Sequence, residues 1–415
     1  MHIAILGRQP ALGVAELERL YGAQAVRWFS ENTATVDSSR FDFNRLGGTQ
    51  KAGRVVAELS GDWRKVSMRI VKEYTAAWAG RTGKITLGIS AYGFNTTSRD
   101  VQKTGIILKS KLKEHGVSLR LIPNVETALN TATSHHNKLG LSDNHVELLI
   151  VRSASGKVII AESVGAQNIT ALASRDQARP RTDSFVGMLP PKLARMMINL
   201  TGCHPGVASQ SSSKSLLLAD DKRRRSGAIL DSGSRLTILD PFCGTGVLLQ
   251  ESALLGFDVY GADLSEKMVR YSTENLQWLT HRYSLDTKVV IEHGDAMTTA
   301  WAGSIDAVAT ETYLGQPFSA PPSPAKLTEV RDNCNHIISE FLKNIAPQLP
   351  SGTPLCVAVP AWRDTKGNFT HLPLVKTIGK LGYKQITLQH VTSEQLLYYR
   401  EDQVVARELL LLKKA

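Results

Sequence analysis

Three acidic residues in the second half of the chain each follow a predicted buried strand. Asp240 precedes a short turn that contains Gly244 and Gly246, Asp263 ends the next predicted strand, and Asp295 follows the strand after that. Two glycines one residue apart let the backbone approach a ligand closely, and the helix that begins there offers N–H donors. Because a carboxylate at the end of the second strand receives ribose hydroxyls in sheets of this kind, the pattern predicts a nucleotide cofactor.

Two nucleotide cofactors fit these acids, a nicotinamide dinucleotide and S-adenosylmethionine. A dinucleotide needs a third glycine for its pyrophosphate and for helix packing, and Leu249 occupies that position. S-adenosylmethionine has no pyrophosphate, and we expect Asp240 to receive its cationic amine and Asp295 the adenine amine. The acids therefore favour the methyl donor over the alternative in which they only cap helices and loops. The predicted cofactor contacts are Asp240, Phe242, Cys243, Gly244, Gly246, Asp263, Leu264, Asp295 and Ala296.

A fourth predicted strand ends at Glu311-Thr312-Tyr313. Methylation of an exocyclic base amine requires acceptors that hold the amine hydrogens, because the nitrogen lone pair is otherwise delocalised into the ring. An aromatic ring can grip a base that has left its stack. We therefore predict catalytic roles for Glu311, the backbone carbonyl of Thr312 and the ring of Tyr313. The simpler alternative is that Glu311 caps the strand and Tyr313 packs in the loop.

The elements around these residues alternate between strand and helix. A helix is predicted from 266 to 279 with Ser265 as its N-cap, between strands at 236–239, 258–262, 288–292, 305–310 and 355–359. This alternation is typical of a doubly wound, mostly parallel sheet. The segments 395–399 and 404–412 instead predict an antiparallel hairpin at the sheet edge. The fold class is therefore α/β, with a Rossmann-like domain over residues 235–415.

The first half of the chain is predicted to be mixed α+β. Its predicted elements are a strand at 2–6, a helix led by Leu12, a strand at 84–90, a helix at 101–113, a strand at 118–122, a helix at 125–139 and a hairpin of 146–151 with 157–164. We expect a small ferredoxin-like domain over 1–80 and a second domain over 81–172. Residues 173–234 are predicted to link them to the C-terminal domain through a helix that starts at Pro190-Pro191 and a flexible loop.

Composition and charge exclude several classes of protein. With 42% hydrophobic and 21% charged residues, the 415-residue chain is predicted to be globular with two or three domains. No apolar run reaches the roughly 18–20 residues that span a bilayer, and the first residues lack the pattern of a signal peptide, so a cytoplasmic protein is expected. Four scattered cysteines without zinc-site spacing predict free thiols and no metal. The net charge of +11 favours a polyanionic partner.

Together these residues resemble the THUMP-domain tRNA guanosine-N2 methyltransferases, the branch that acts on position 10 of tRNA. The most specific part is the run with Arg175-Asp176, Arg179-Pro180-Arg181 and Gly187-Met188-Leu189-Pro190-Pro191, which is similar to the segment that leads into the family's methyltransferase domain. Residues 81–172 look like the THUMP RNA-binding unit. The resemblance implies a class I methyltransferase fold, S-adenosylmethionine, transfer to guanine N2, tRNA as partner and, in some members, a small activating subunit. It also implies cofactor contacts by Asp240, Gly244, Gly246, Asp263 and Asp295.

The end of the fourth strand departs from the family pattern. The family carries an acid or amide, two prolines and an aromatic residue, commonly Asp-Pro-Pro-Tyr, where this chain has Glu311-Thr312-Tyr313. The acid is longer by one methylene, both prolines are absent and the aromatic residue comes one position earlier. Two further functions therefore stay open. One is an RNA-binding protein with a weak or inactive methyltransferase domain, and the other is an amino-methyltransferase for adenine in another nucleic acid.

Basic side chains supply the predicted RNA-binding surface. Three lie on the predicted helix at 101–113, and three lie in the segment before the methyltransferase domain. We expect them to form a phosphate-binding face whose affinity falls steeply as salt increases. The predicted contacts are Lys103, Lys109, Lys113, Arg175, Arg179 and Arg181.

Overall fold

A computed structural model of the chain describes residues 1–183, 189–205 and 235–415. The chain divides into two units, one formed by Met1–Asn44 and Gly48–Ala171 and the other by Arg45–Gly47 and Leu172–Ala415. Most of the predicted flexible loop, and Gly187-Met188 of the family-like run, lie outside the described residues. Within these ranges, no helix combines the length and the apolar character needed to cross a membrane.

The first unit is built on one eight-stranded sheet flanked by helices. Its elements are β1 (His2–Leu6), α1 (Pro10–Tyr21), β2 (Val26–Ser30), β3 (Thr33–Val36), β4 (Thr49–Ser60), α2 (Trp63–Trp78), β5 (Ile85–Tyr92), α3 (Ser98–Glu114), β6 (Leu119–Leu121), α4 (Thr131–His136), β7 (His145–Arg152) and β8 (Lys157–Ala166). The strand order is β2-β3-β1-β4-β8-β7-β5-β6. β5 pairs in parallel with β6 and β7, and the other pairs are antiparallel.

Helices α2 and α3 pack on this sheet because each carries an apolar stripe at helical spacing. Val66 and Ile70 of α2 are fully buried with Val101, Leu108 and Leu112 of α3 in one hydrophobic core. An N-cap at Asp62 starts α2, and a capping box of Thr97 and Asp100 starts α3. Both helices therefore turn their polar sides away from the sheet.

The predicted helix at 125–139 is wrong over most of its length, since only α4 is helical there. The backbone of Leu129 is held instead by tertiary hydrogen bonds, to the Ser90 hydroxyl through its N–H (2.9 Å) and to the buried Lys51 ammonium through its carbonyl (2.6 Å). The division between 1–80 and 81–172 stays a prediction. Strands of both ranges share one sheet, since β4 pairs with β8.

The second unit contains a largely parallel sheet. Helix α5 (Ile169–Gln177) runs across the division between the units, and the elements that follow are α6 (Pro191–Leu200), β9 (Thr237–Asp240), α7 (Val247–Leu254), β10 (Asp258–Asp263), α8 (Glu266–Tyr283), β11 (Val289–His293), β12 (Ala307–Glu311), α9 (Pro324–Ile345), β13 (Pro354–Arg363), β14 (Phe369–Thr370), a 3₁₀ helix (Pro373–Leu381), β15 (Tyr383–Gln385), β16 (Leu397–Tyr398) and β17 (Val405–Lys414). The strand order is β11-β10-β9-β12-β13-β17-β15. The first five strands are parallel, which confirms the predicted doubly wound α/β fold.

The predicted C-terminal hairpin is present, because β16 pairs antiparallel with β17. Its longer strand is not an edge strand, however. β17 pairs along its whole length with β13 and, on its other side, with β15. Nine residues of β17 pair with β13 from Pro354↔Lys413 to Trp362↔Val405, so this tail closes the sheet next to the parallel strands.

The chain order in this sheet creates a crevice between β9 and β12. From β9 the chain moves outward to β10 and β11, and it then returns to the other side of β9 as β12. Ligands in doubly wound sheets bind outside the carboxyl ends of the strands at such a switch point. Asp240 ends β9 and Glu311 ends β12, so the fold places both predicted acids beside this crevice.

Candidate active site

Asp240 is buried at the carboxyl end of β9 and is already hydrogen-bonded. Its Oδ1 accepts the backbone N–H of Phe242 at 3.2 Å and the hydroxyl of Thr310 at 2.6 Å. Burial raises the pKa of Asp240 to about 7, even though these two hydrogen bonds favour the ionised form. A group that brings a positive charge to this carboxylate would remove most of that penalty.

The turn after Asp240 brings the backbone close to the crevice. Gly244 has φ of +50° and Gly246 has φ of +81°, a region that side chains disfavour. Gly246 is also the N-cap of α7, and a Cβ there would lie 3.0 Å from Ser272 Cβ and from Leu276 Cδ2. The position therefore has room for glycine alone.

Cys243 within this turn differs from the other predicted cofactor contacts. Its side chain is buried in a hydrophobic cluster with Leu249 and Leu276, and burial raises the pKa of its thiol. Its backbone N–H donates to the Ala262 carbonyl at 2.9 Å. The residue ties the turn to β10, so a cofactor contact through its thiol stays a prediction without support from this packing.

Leu249 stands where a dinucleotide-binding turn carries its third glycine, and the structure explains why a large residue fits. Gly261 of β10 faces it, and a Cβ at Gly261 would lie 2.4 Å from Leu249 Cδ1. The close approach of helix and strand is thus achieved by a glycine on the strand instead of one on the helix.

Asp263 links the end of β10 to the glycine turn. Its Oδ2 accepts the N–H of Gly244 at 2.9 Å and its Oδ1 accepts the N–H of Ser265 at 2.9 Å. Burial raises its pKa, against the effect of these hydrogen bonds. Ser265 is the N-cap residue of α8 as predicted, but its side chain makes no capping hydrogen bond. The neighbouring Leu264 is 67% exposed, which leaves an apolar surface next to the carboxylate.

Asp295 and Ala296 follow β11 in a tight turn. Asp295 Oδ1 accepts the N–H of Met297 at 2.9 Å, and its carbonyl accepts the N–H of Thr299 at 2.8 Å. The side chain of Ala296 is buried in the hydrophobic core of the sheet. Asp295 is therefore held just after the end of β11, the strand that pairs with β10.

These residues form a set that fits S-adenosylmethionine. Carboxylates stand at three neighbouring strand ends, each able to accept hydrogen bonds from a donor, and the cofactor presents donors at its amine, its ribose hydroxyls and its adenine amine. Gly244 and Gly246, which both have a positive φ and no side chain, let a ligand approach the backbone of the turn. Within the described ranges, no group of three or more His, Cys, Asp and Glu side chains is arranged for a metal ion.

Glu311-Thr312-Tyr313 occupies the end of β12. Thr312 is buried, and both its N–H (3.0 Å) and its hydroxyl (2.9 Å) donate to the carbonyl of Ala358 on β13. Two hydrogen bonds therefore restrain the backbone where the family pattern has prolines. Tyr313 is 44% exposed, so part of its surface is open to a ligand.

Arg407 and Thr310 are residues of this site that the sequence did not single out. The guanidinium of Arg407 on β17 forms an ion pair with Glu311 through Nε and Oε1. Nothing in the spacing of these residues indicates the contact, because it depends on the register of β17 against β13. Thr310 lies inside a predicted strand, and its partner Asp240 is 70 positions away.

The predicted RNA-binding residues divide into two groups. Lys103, Lys109 and Lys113 are exposed on α3. Arg175 and Arg179 are buried, and Arg175 pairs with Glu251 at 2.5 Å. Their assignment to a phosphate-binding face is therefore wrong, because the sequence showed only a basic run and not its burial.

Glu251 of α7 is the counter-ion that compensates the buried charge of Arg175. Arg195 of α6 also pairs with it, at 2.6 Å. Burial alone would raise the pKa of Glu251, but the two guanidinium groups hold it below its ordinary value. Arg175 of the family-like run and Arg195 of α6 thus flank one buried carboxylate. Arg181 is exposed and pairs with Glu274 at 2.6 Å.

Comparison with known proteins agrees with this geometry. Residues 230–364 match the family described as UPF0020, RMKL-like, methyltransferase domain. A tRNA (guanine(10)-N2)-dimethyltransferase of Methanothermobacter thermautotrophicus is 31% identical over 191 residues, which are 46% of this chain and 44% of that protein. The protein of the same name from Pyrococcus abyssi is 32% identical over 136 residues, 32% of this chain and 30% of that protein. The chain therefore spans less than half the length of these curated relatives.

A solved structure with a similar fold extends over the whole chain. TrmN from Thermus thermophilus covers 100% of this chain and 99% of its own, with 16% identity and a TM-score of 0.50. At this identity the likeness concerns the fold. The predicted methyltransferase fold is confirmed, and the chain is similar to tRNA guanosine-N2 methyltransferases over the 191 matched residues, whereas the comparisons do not address the THUMP unit.

Proposed function

We propose that this chain, whose residues 230–364 belong to the methyltransferase-domain family, transfers a methyl group from S-adenosylmethionine to the exocyclic N2 amine of a guanosine in tRNA. The observation that carries the proposal is the pair of carboxylates, Asp240 and Glu311, on the two sides of the crevice between β9 and β12. One is suited to a cationic cofactor and the other to a base amine. The names of the curated relatives support position 10 of tRNA.

The glycine turn and the three strand-end acids would hold the cofactor. Asp240 would accept its cationic amine, Asp263 its ribose hydroxyls and Asp295 its adenine amine, while exposed Leu264 would cover the adenine face. When bound, the cofactor supplies a methyl group on a positively charged sulfur. Because a pKa of about 7 leaves Asp240 about half protonated at pH 7 without a ligand, a bound cation would favour its ionised form.

The end of β12 would hold the target base. Glu311 accepts a hydrogen of the amine, which localises the nitrogen lone pair, and the carboxylate can take the proton that the amine loses. The Thr312 carbonyl is the second predicted acceptor, and its position is restrained by the two bonds to Ala358. The exposed ring of Tyr313 stacks on the base, a contact worth roughly 1–3 kcal/mol.

The first unit offers a basic surface for tRNA. Alongside Lys103, Lys109 and Lys113 of α3, helix α2 exposes four basic side chains, and α2 packs against α3 in the same core. Phosphate contacts of this kind give affinity that falls by about 0.7–0.9 log units per contact for each log unit of salt. The basic side chains of α2 are Arg64, Lys65, Arg69 and Lys72.

The deciding experiment is nucleoside analysis after incubation of the protein with labelled S-adenosylmethionine and unmodified tRNA. The proposal expects label in N2-methylated guanosine, and a tRNA with another base at position 10 serves as the control. Cofactor binding without transfer to several tRNAs would support an RNA-binding protein with an inactive methyltransferase domain. Label in adenosine would identify an adenine amino-methyltransferase.

The proposal also concerns a possible activating subunit and the cellular location of the protein. The family resemblance includes members with a small activating subunit, and turnover by the isolated chain would show that this chain needs none. We place the activity in the cytoplasm, and fractionation followed by detection of the protein with its tRNA would test that location.

A further inference from the structure

Arg407 reaches Glu311 from a strand that is two positions away in the sheet. Glu311 pairs with Ala358 of β13, and Arg407 pairs with Pro360 of the same strand, so both side chains stand near the carboxyl end of β12. The ion pair is nearly buried, with the Arg407 side chain 11% and the Glu311 side chain 14% exposed. The last residue of the candidate catalytic strand is therefore fixed by the C-terminal segment of the chain.

The contact engages one side of the carboxylate. Arg407 Nε donates to Glu311 Oε1, and no described residue donates a hydrogen bond to Oε2. Glu311 has one more rotatable bond than the Asp of the family pattern, so an unrestrained side chain would lose more conformational entropy when it meets a substrate. The guanidinium removes part of that freedom before a base arrives.

Glu311, the partner of Arg407, is also a negative neighbour of Asp240. After burial, negative neighbours that include Glu311 contribute to the raised pKa of Asp240. Two carboxylates beside one crevice repel each other unless a cation is near. Arg407 supplies that cation from the β13–β17 side of Glu311.

We propose that Arg407 is a positioning residue for methyl transfer, which holds Glu311 through Oε1 and leaves Oε2 for a hydrogen of the target amine. The inference rests on the proposed function and adds a residue from outside the strand-end motif. Arg407 takes no part in bond making. It restores, from β17, the restraint that a shorter acid followed by two prolines would provide.

The test compares Arg407→Gln, Arg407→Lys and Glu311→Gln with the unaltered protein. We expect Arg407→Gln to lower kcat by about 100-fold, the cost of a displacement of about 1 Å, with the KM for tRNA and the affinity for S-adenosylmethionine unchanged. Arg407→Lys should recover part of the loss, because it keeps the charge without the planar fork. A fall in cofactor affinity equal to the fall in kcat, with no recovery by lysine, would indicate general disruption and overturn the proposal.

The neighbouring ion pair of β17 gives a matched control. Glu408 follows Arg407, so its side chain points to the opposite face of the sheet, where it contacts His371 at 2.8 Å. His371→Gln breaks a pair of the same strand and should leave kcat unchanged. A fall in kcat like that of Arg407→Gln would show that any perturbed pair on β17 has this effect, and would contradict a specific role.

The double variant separates the two residues. If Arg407 acts through Glu311, the kcat of the double variant that carries both Glu311→Gln and Arg407→Gln should be no lower than the kcat of Glu311→Gln alone. The same fold-loss from Arg407→Gln in both backgrounds would overturn the proposal.

A second measurement does not depend on turnover. The carboxyl ¹³C resonance of Glu311, identified by its absence in Glu311→Gln, should move in Arg407→Gln and stay in His371→Gln. An unmoved resonance refutes the restraint. If the unaltered protein transfers no methyl group but the Glu311 resonance moves in Arg407→Gln, the proposed function is refuted. The restraint of Glu311 by Arg407 is then still supported.

Discussion

The hydroxyl of Thr310 donates a 2.6 Å hydrogen bond to Asp240, and this contact joins the ends of β9 and β12. The two strands are neighbours in the sheet but are separated along the chain by β10, β11 and their helices. The bond sets the buried carboxylate of one strand next to the acid that ends the other. The proposed cofactor and target positions are thereby joined through a single side chain.

The free energy of unfolding should depend on pH because of Asp240. Its pKa is raised by burial from 3.8 to about 7, so the folded form stays protonated while the unfolded chain ionises. The stabilising contribution is complete below about pH 4 and is lost as the pH rises to about 7, on the order of 4 kcal/mol at 1.36 kcal/mol per pKa unit. Asp240→Asn keeps an oxygen acceptor for Thr310 and should remove this dependence in urea denaturation. An identical pH slope in the variant would contradict the assignment.

Cofactor affinity should depend on Asp263. Asp263→Ala removes the acceptor for the ribose and frees the N–H of Gly244, so we expect at least about a tenfold loss, or 1.4 kcal/mol, in calorimetric binding of S-adenosylmethionine. Binding of tRNA should change little. Unaltered cofactor affinity would refute the ribose role. Asp258→Ala, at the other end of β10, is the control and should bind the cofactor normally.

Turnover should depend on Tyr313. Removal of the exposed ring in Tyr313→Ala eliminates base stacking, which corresponds to a loss of roughly 1–3 kcal/mol and thus a 5- to 150-fold lower kcat/KM. Tyr313→Phe keeps the aromatic face and should retain most activity, and cofactor binding should be unchanged in both. If Tyr313→Ala turns over normally, the stacking role passes to another aromatic residue such as Phe318.

Breaking the buried triad of Glu251 with Arg175 and Arg195 should strongly destabilise the protein. Glu251→Gln leaves two buried guanidinium groups without their counter-ion, so the free energy of unfolding should fall by about 3–5 kcal/mol in chemical denaturation. Glu274→Gln breaks the exposed pair with Arg181 and should cost less than about 1 kcal/mol. Equal effects of the two variants would show that burial does not set the strength of the triad.

Salt titration of tRNA binding should show whether the exposed lysines of α3 contact phosphate. Replacing Lys103 and Lys109 with Gln should lower the slope of log K against log salt by about 0.7–0.9 for each phosphate that a lysine no longer neutralises. Lys376→Gln, an exposed lysine of the second unit, serves as the control and should keep the slope. A slope that is the same in all three proteins would remove α3 from the proposed surface.

Local pattern was enough to predict many elements and the nucleotide-binding end of the sheet. The strand at His2–Leu6, the helix at Ser98–Glu114 and the hairpin of β7 with β8 follow from periodicity and turn residues that act over a few positions. Asp240, Asp263 and Asp295 were recognisable because strand ends and glycine turns are themselves local signals. The helix predicted at 125–139 failed because the backbone of Leu129 is bonded to Ser90 and Lys51, which are distant along the chain.

Short-range sequence patterns are sufficient for most of the elements, for the strand-end positions of Asp240, Asp263 and Asp295, and for the type of cofactor that these acids favour. Tertiary structure alone decided that Arg175 is buried against Glu251, that Thr310 bonds Asp240 and that Arg407 pairs with Glu311. The sequence alone does not show whether a basic or acidic residue faces solvent or a buried partner. Burial and strand register, which join residues 70 to 96 positions apart, determine which of these charges remain available to a ligand.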